Sequence, residues 1–385
     1  MKSRTPALDF NDFYSMDFCV LKYLGVWIPH ATSGKYYKIY FVIINFFFCA
    51  ILNLVQILNL FHQMDNLKKL SACGYVVAIA CMANVRSYYF FKNRKELLSL
   101  LKFFSDEQFQ PQNEHQISLA RKSLDFYKKI KKLISTVCTI SVISAVSTPV
   151  FYTKNELNLP FASWYPFAVS SPPVYQIVYL HQCIAVIYIT YVNTYVDIIM
   201  AGFTTFIGIQ CDLLCDTLYN VTDSQPPEGN VNILSCIAHH KKILCFALNT
   251  EILFNRIYLG QFVSCTSALC MALFLLTLQE EINFECLYLF FYQTSIFCLL
   301  LIPCWFSSEM CRKSENIAKA AYSCHWVTAS GAFKKNLIIL IHKSQKPIRF
   351  YAVGLFQISV ETFMTIVRSS FSFYTVLNTL ELKEE

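Results

Sequence analysis

Seven stretches of this chain stay apolar for about 20 residues or more, the length a helix needs to cross the hydrocarbon of a bilayer. They cover 38–62, 70–91, 133–152, 175–209, 257–279, 283–307 and 355–380. Inside hydrocarbon every backbone N–H and C=O must be paired within the protein, so only helices or a closed barrel can span it. Barrel strands are about 10 residues long and alternate in polarity; these runs are longer and continuous. Only 9 Gly against 34 Phe also favours helices. Charged residues make up 15% of the chain, against about 25% in a soluble domain. The reading is an all-α membrane protein, a single domain over 1–385 with seven transmembrane helices. The fourth run is too long for a perpendicular crossing, so it tilts or continues as helix beyond the membrane.

The net charge of +7 is spread over the loops, so it marks topology, not a nucleic-acid patch. Of 32 Lys and Arg, 26 lie before the first span or in the loops after spans 2, 4 and 6. Four lie on the other side, and Arg86 and Arg368 fall within spans. Positive loops stay inside, which predicts a cytosolic N-terminus and an extracellular C-terminus. The sequon Asn220-Val221-Thr222 then lies in the cytosol, unmodified. No signal peptide is visible in the first 37 residues, so the first span serves as its own insertion signal. The inner loops carry helical periodicity, as in Ile233, Ile237, Leu244 and Leu248. They predict helices that extend into the cytosol and pack together as an anchor. Outside, 153–174 sets Pro160, Pro166, Pro172 and Pro173 beside Phe161, Trp164, Tyr165 and Phe167. That is a stiff aromatic loop, either a cap over an apolar mouth or an interfacial belt. The 17 Cys lie mostly in or beside spans and read as small buried hydrophobes, not a disulfide framework. No internal repeat is visible, which weighs against a secondary transporter.

The last span departs from the others. Glu361, Thr365, Arg368, Ser372, Thr375 and Thr379 recur at spacings of three and four, one face of a helix. Polar groups at membrane depth face protein or water, so this helix needs an environment that the chain must supply. No nucleotide-loop, metalloprotease or hydrolase motif occurs, so no enzyme, cofactor or metal is expected. His239 and His240 beside Lys241 and Lys242 read as a solvated polar face. Arg86, near the inner end of span 2, reads as a side chain snorkelling to the interface, and Asp197 as lying near that interface. His181 reads as a satisfied interfacial histidine. The outer halves of spans 2, 3, 4 and 6 offer Tyr75, Ser141, Ser144, Thr148, Tyr179, Tyr188, Phe290, Tyr292 and Thr294. Apolar walls with a few hydroxyls suit a pocket for a small volatile ligand, and ordinary helix packing is the alternative.

Residues from span 6 onward carry a family likeness: Cys304-Trp305-Phe306-Ser307-Ser308-Glu309, Ala320-Ala321-Tyr322, Trp326, Phe333-Lys334-Lys335, Gln345-Lys346-Pro347, Gly354-Leu355-Phe356, Ser359-Val360-Glu361-Thr362-Phe363 and Ser372-Phe373-Tyr374-Thr375-Val376-Leu377. Upstream, Leu159-Pro160-Phe161, Trp164-Tyr165-Pro166-Phe167, Tyr179-Leu180-His181-Gln182 and Cys236-Ile237-Ala238-His239-His240 add to it. In these residues the chain resembles the insect odorant receptors. The resemblance implies a ligand-gated cation channel in the plasma membrane of olfactory sensory neurons. It further implies an odorant- or pheromone-binding subunit assembled with the olfactory co-receptor into a heterotetramer. The last spans would line a shared pore, with Val376 as hydrophobic gate and Ser372, Thr375 and Thr379 along the water path. Thr379 stands where the co-receptor carries a Gln, and Asn378-Thr379 where gustatory receptors carry a Gln-Phe pair; both departures favour a ligand-binding odorant receptor subunit. A gustatory-type channel, a G-protein-coupled receptor and a transporter using Glu361 and Arg368 stand as alternatives.

Overall fold

The apolar runs become long helices. The computed structural model describes residues 10–27, 35–151, 159–169, 171–221, 233–279 and 283–384. Thr222 of the sequon and residues 152–158 and 170 of the outer loop lie outside the described residues. After a short α1 (Phe10–Tyr23), the first crossing runs from α2 (Lys35–Ile44) through a π-helical turn (Asn45–Ala50) into α3 (Ile51–His62). There follow α4 (Leu67–Lys92), α5 (Arg94–Lys102), α6 (Glu114–Phe151), α7 (Pro172–Tyr219), α8 (Ile233–Thr277), α9 (Phe284–Tyr322) and α10 (Gly331–Ser344). A two-stranded hairpin, β1 (Tyr351–Ala352) with β2 (Phe356–Gln357), leads into α11 (Val360–Glu384).

Six of these helical stretches are long and apolar enough to cross a membrane. α11, 25 residues and so about 37 Å long, is the seventh long helix; its polar stripe keeps it out of the six. On the first crossing Val42, Phe46, Leu54 and Phe61 are exposed, as side chains facing lipid tails should be. The middle of α7, from Val192 to Leu214, is nearly wholly buried and forms the axis against which α4, α6, α8 and α9 pack. α4 and α8 cross at two glycines. A Cβ on Gly74 would fall 2.6 Å from Met271 Sδ, and one on Gly260 would fall 2.7 Å from Met82 Sδ. Small residues let helix backbones approach closely where lipid supplies no hydrophobic drive.

Several helices continue well past the bilayer. α6, α7, α8 and α9 have 38, 48, 45 and 39 residues, where about 20 suffice to cross. Their extensions meet around Phe104, Phe109, Phe203, Phe206 and Phe246, all buried, with ring centroids 4.5 to 6.1 Å apart. α1, which has no apolar core of its own, docks on this layer. Phe10 packs edge-on to Phe206, and Asp17 takes a 2.8 Å bond from Lys131.

Two expectations are corrected here. The last helix begins at Val360 rather than 355, because residues 351–357 turn back as the hairpin. Its turn places Val353 at φ +52° and Gly354 at φ +69°, closed by the Leu355 N–H on the Ala352 carbonyl at 3.0 Å. Both central residues of such a turn need positive φ, easy for glycine and strained for valine. His239 and His240 do not form a solvated face. His240 is buried, and His239 lies against Phe109 with its Nε2 3.0 Å from Gln210 Oε1.

Burial lowers both imidazoles to about 4; for His239 the nearby His240 and Lys242 add to it. In the unfolded chain they take up protons as the pH falls through about 6.5. Between those values the unfolded state binds more protons, so stability falls as the pH drops through that window. Thermal melts of the detergent-solubilised protein should show a falling midpoint from pH about 6.5 toward about 4, shallower in His240→Leu. A flat profile there would mean that the imidazoles are charged in the fold.

Candidate functional site

The middle of the helix bundle is tied by a buried charge network. Arg86 on α4 and Asp197 on α7 form an ion pair at 3.0 Å, both almost fully buried. Arg86 Nη1 also donates to the Asn193 carbonyl at 2.7 Å, and Nη2 to Gln261 Oε1 at 2.6 Å. Gln261 on α8 returns its amide to Asp197 Oδ2 and to the Leu299 carbonyl of α9, each at 3.0 Å. Arg86 therefore does not snorkel and Asp197 is not interfacial: each gives the other the counter-charge that neither lipid nor water supplies at that depth.

Directly above lies a small cavity of about 50 Å³ enclosed by α3, α4, α6, α7 and α9. Its polar side chains are Ser141, Thr190, Asn193, Tyr288, Tyr292 and Ser295; its remaining walls are apolar. Ile79, Asn193 and Leu299 belong both to this cavity and to the pocket around the charge network, so one is the floor of the other. Phe161 of the outer loop closes a wall. The loop is pinned there because the fully buried Gln182 accepts from the Phe161 N–H at 3.0 Å and donates to its carbonyl at 3.2 Å. The Trp164 N–H reaches the Val55 carbonyl at 3.1 Å, and the Trp164 ring stacks on His62.

Of the nine pocket residues expected from sequence, Ser141 and Tyr292 stand in the cavity wall. Tyr75 stands one layer behind, its hydroxyl donating to Tyr288 at 3.1 Å and its carbonyl accepting from Tyr292 at 2.9 Å. Ser144 and Thr148 bond carbonyls of their own helix, and Tyr179 bonds the Val146 carbonyl. Tyr188 points toward Asn45 and Ser87. Phe290 is exposed, and Thr294 bonds the Phe290 carbonyl. His181 sits outside the cavity on the Phe47 carbonyl. Sequence reasoning missed Thr190, Asn193, Tyr288 and Ser295. Helical spacing held the signal: from Tyr292 the same face runs to Tyr288, Ser295 and Leu299, which excludes Phe290 and Thr294.

At α11 the geometry is of another kind. Phe363, Ile366 and Ser370 are buried against α8 and α9, with Phe363 edge-on to Phe297 at 4.9 Å. The start of the helix is fixed by the Ser308 hydroxyl, which accepts from the Val360 N–H at 3.0 Å. All six residues of the polar stripe, Glu361 through Thr379, lie exposed, and so does Val376 at 54%. Thr375 and Thr379 direct their hydroxyls to carbonyls one turn back, at 2.7 Å each. The face carrying Ser372, Thr375, Val376 and Thr379 is thus uncovered in the single chain.

The sequence profile of the 7tm odorant receptor family matches residues 44–371. Odorant receptor 10 of Aedes albopictus is 25% identical over 85% of this chain and 89% of its own length. Putative odorant receptor 92a of Drosophila melanogaster is 24% identical over 83% and 81%. Among solved structures, the insect olfactory receptor OR5 of Machilis hrabei in complex with eugenol superposes with a TM-score of 0.86 at 15% identity. That match covers 96% of this chain and 98% of the other.

Replacing one member of the charge pair strands the other. Arg86→Met or Asp197→Leu alone should cost about 3–5 kcal/mol and lower the yield of folded protein at the membrane, while the double variant recovers most of the loss. Thermal stability in detergent reads this directly; single variants as stable as the parent would show that the pair is solvated.

Proposed function

The chain belongs to the 7tm odorant receptor family and is a multi-pass membrane protein, and from that premise we propose that it is the ligand-binding subunit of an odorant-gated cation channel. The observation that carries this reading is the division of labour along the chain. A small, mostly apolar cavity lies at one end of the bundle, and an uncovered, polar-striped helix lies beyond it. In this reading the whole chain acts as one receptor–channel domain, N-terminus in the cytosol, in the plasma membrane of olfactory sensory neurons. The olfactory co-receptor completes it as a heterotetramer. The charge asymmetry of 26 against 4 supports the orientation.

A stripe of Ser372, Thr375 and Thr379 beside an exposed Val376 is costly against lipid and suited to a water-filled centre shared by several subunits. Val376 forms a hydrophobic ring there that blocks ions by dewetting. About 50 Å³ is room for a few water molecules, less than a volatile of about ten atoms occupies. A ligand therefore favours whichever arrangement widens the cavity, and that differential affinity is what can drive a conformational equilibrium. The solved relative that holds eugenol shares this fold, which is in keeping with a small organic ligand here.

The reading is tested by expressing the chain with the co-receptor and recording currents evoked by a broad panel of volatiles, each subunit alone serving as control. Val376→Ser should raise the ligand-free conductance by an order of magnitude or so, since a polar ring wets at a radius where an apolar one does not. Unchanged resting and evoked currents in that variant would remove Val376 from the gate.

A further inference from the structure

The six polar side chains of the outer cavity are not equivalent. Tyr292 donates to the Tyr75 carbonyl at 2.9 Å, Ser295 to the Tyr292 carbonyl at 2.7 Å and the Asn193 amide to the Ile79 carbonyl at 3.3 Å. Tyr292 and Ser295 thus spend their only protons on the protein, and Asn193 spends one of its two. Three hydroxyls remain. Tyr288 accepts from Tyr75 at 3.1 Å, and its own proton has no acceptor among the described residues. Ser141 on α6 and Thr190 on α7 line the cavity with no partner among the described residues. Serines and threonines in these helices often bond a carbonyl three or four residues back, as Thr139, Ser144, Thr148 and Ser295 do. Ser141 and Thr190 do not.

Unused donors in an apolar enclosure favour a ligand that supplies an acceptor, because a buried hydroxyl left unpaired carries a desolvation penalty. Tyr288 is the strongest of the three: accepting from Tyr75 polarises its O–H, as in any chain of hydrogen bonds. Among the described residues no charged side chain lines the cavity. Arg86, below the floor, already holds Asp197, Gln261 and the Asn193 carbonyl. An ionised ligand would have to leave water without a counter-charge, which is expensive.

We propose that this cavity selects neutral ligands carrying one hydrogen-bond-accepting carbonyl, held by the Tyr288 hydroxyl, with the hydrocarbon part against Val76, Ile79, Val142 and Phe161. Methyl ketones and acetate esters are the class with that chemistry. Ser141 and Thr190, on the two other helices, set which way the oxygen points. The inference rests on the reading of the cavity as the ligand site and adds the chemistry of its occupant.

The test uses the full chain with the co-receptor and records currents evoked by a series of methyl ketones and acetate esters. Alkanes of matching length and the corresponding carboxylates are applied for comparison. Ketones and esters should be more potent than the alkanes by roughly ten-fold, the worth of one well-made buried hydrogen bond, and carboxylates should be inactive. Tyr288→Phe keeps the ring and removes the proton, so the ketone-to-alkane preference should collapse toward unity while surface expression holds. Alkanes as potent as ketones in the parent chain, or a preference that survives Tyr288→Phe, would overturn the proposal and leave the ligand-site reading standing. The parent comparison needs no variant and remains decisive if Tyr288→Phe does not reach the surface. Silence to every volatile of a broad panel would instead sink the reading of the chain as an odorant-gated subunit.

Discussion

A guanidinium and a carboxylate held 3.0 Å apart in the middle of a membrane bundle constrain everything around them. Removing either charge from water is costly, and the cost is recovered only where the geometry is good and the remaining donors and acceptors are also met. Here Arg86 and Asp197 meet that demand by recruiting Asn193, Gln261 and the Leu299 carbonyl, so α4, α7, α8 and α9 are tied at one level. Sliding α4 or α7 by one turn would strand a charge, and sliding α8 or α9 would unpair the Gln261 amide. Non-directional packing of Leu, Ile and Phe imposes no such register. The Nε of Arg86 has no partner among the described residues, so even this network is not fully satisfied.

That level separates two regions with different physics. Above it, Asn193 and Leu299 turn from the network to the floor of the outer cavity, where the walls are apolar and a pinned aromatic loop closes the side. Below it, the extended helices pack an aromatic layer that holds α1, and the hairpin before α11 rests on α8. The Tyr351 N–H of that hairpin bonds Glu251 of α8 at 3.0 Å. α8 joins the regions: Gln261 sits in the network, while Leu259, Phe262 and Val263 line the apolar groove that α11 borders. A change in the cavity floor thus has a continuous packed route to α11. Proximity alone does not make a route a coupling; that requires two arrangements of the same contacts, biased by both ends.

Much of this was legible in the sequence, and what was not has definite causes. Run length and polarity gave the helices, since hydrocarbon thickness and backbone pairing leave few options. The open face of α11 followed from six polar residues at helical spacing. Arg86 and Asp197 were misread because each was weighed alone; a charge near the end of a span looks like a snorkelling side chain until its partner, 111 residues away, is brought alongside by tertiary packing. His239 and His240 were misread for the same reason, since the Lys241 and Lys242 beside them suggested solvent while Phe109 and Gln210, which meet His239, come from distant parts of the chain. In the cavity, Ser141 and Tyr292 were found and Thr190, Asn193, Tyr288 and Ser295 were not. Composition names plausible residue types, but the rotation of each helix decides which of them face inward. Start and stop signals failed ahead of Val360, because the Val353-Gly354 turn, with positive φ at both residues, replaces the glycine- or asparagine-rich turns that usually announce a hairpin.

The central claim is that the uncovered face of α11 meets ions when the outer cavity is filled. The reversal potential of the ligand-evoked current, measured under asymmetric cation gradients with Thr379 replaced by Glu or by Lys, addresses it most directly. If α11 lines the path, an acidic and a basic residue at that position move the relative cation permeability in opposite directions, while the order of ligand potency is preserved. Identical reversal potentials for the parent chain and both variants, with currents of normal size, would place the ion path elsewhere and contradict the account.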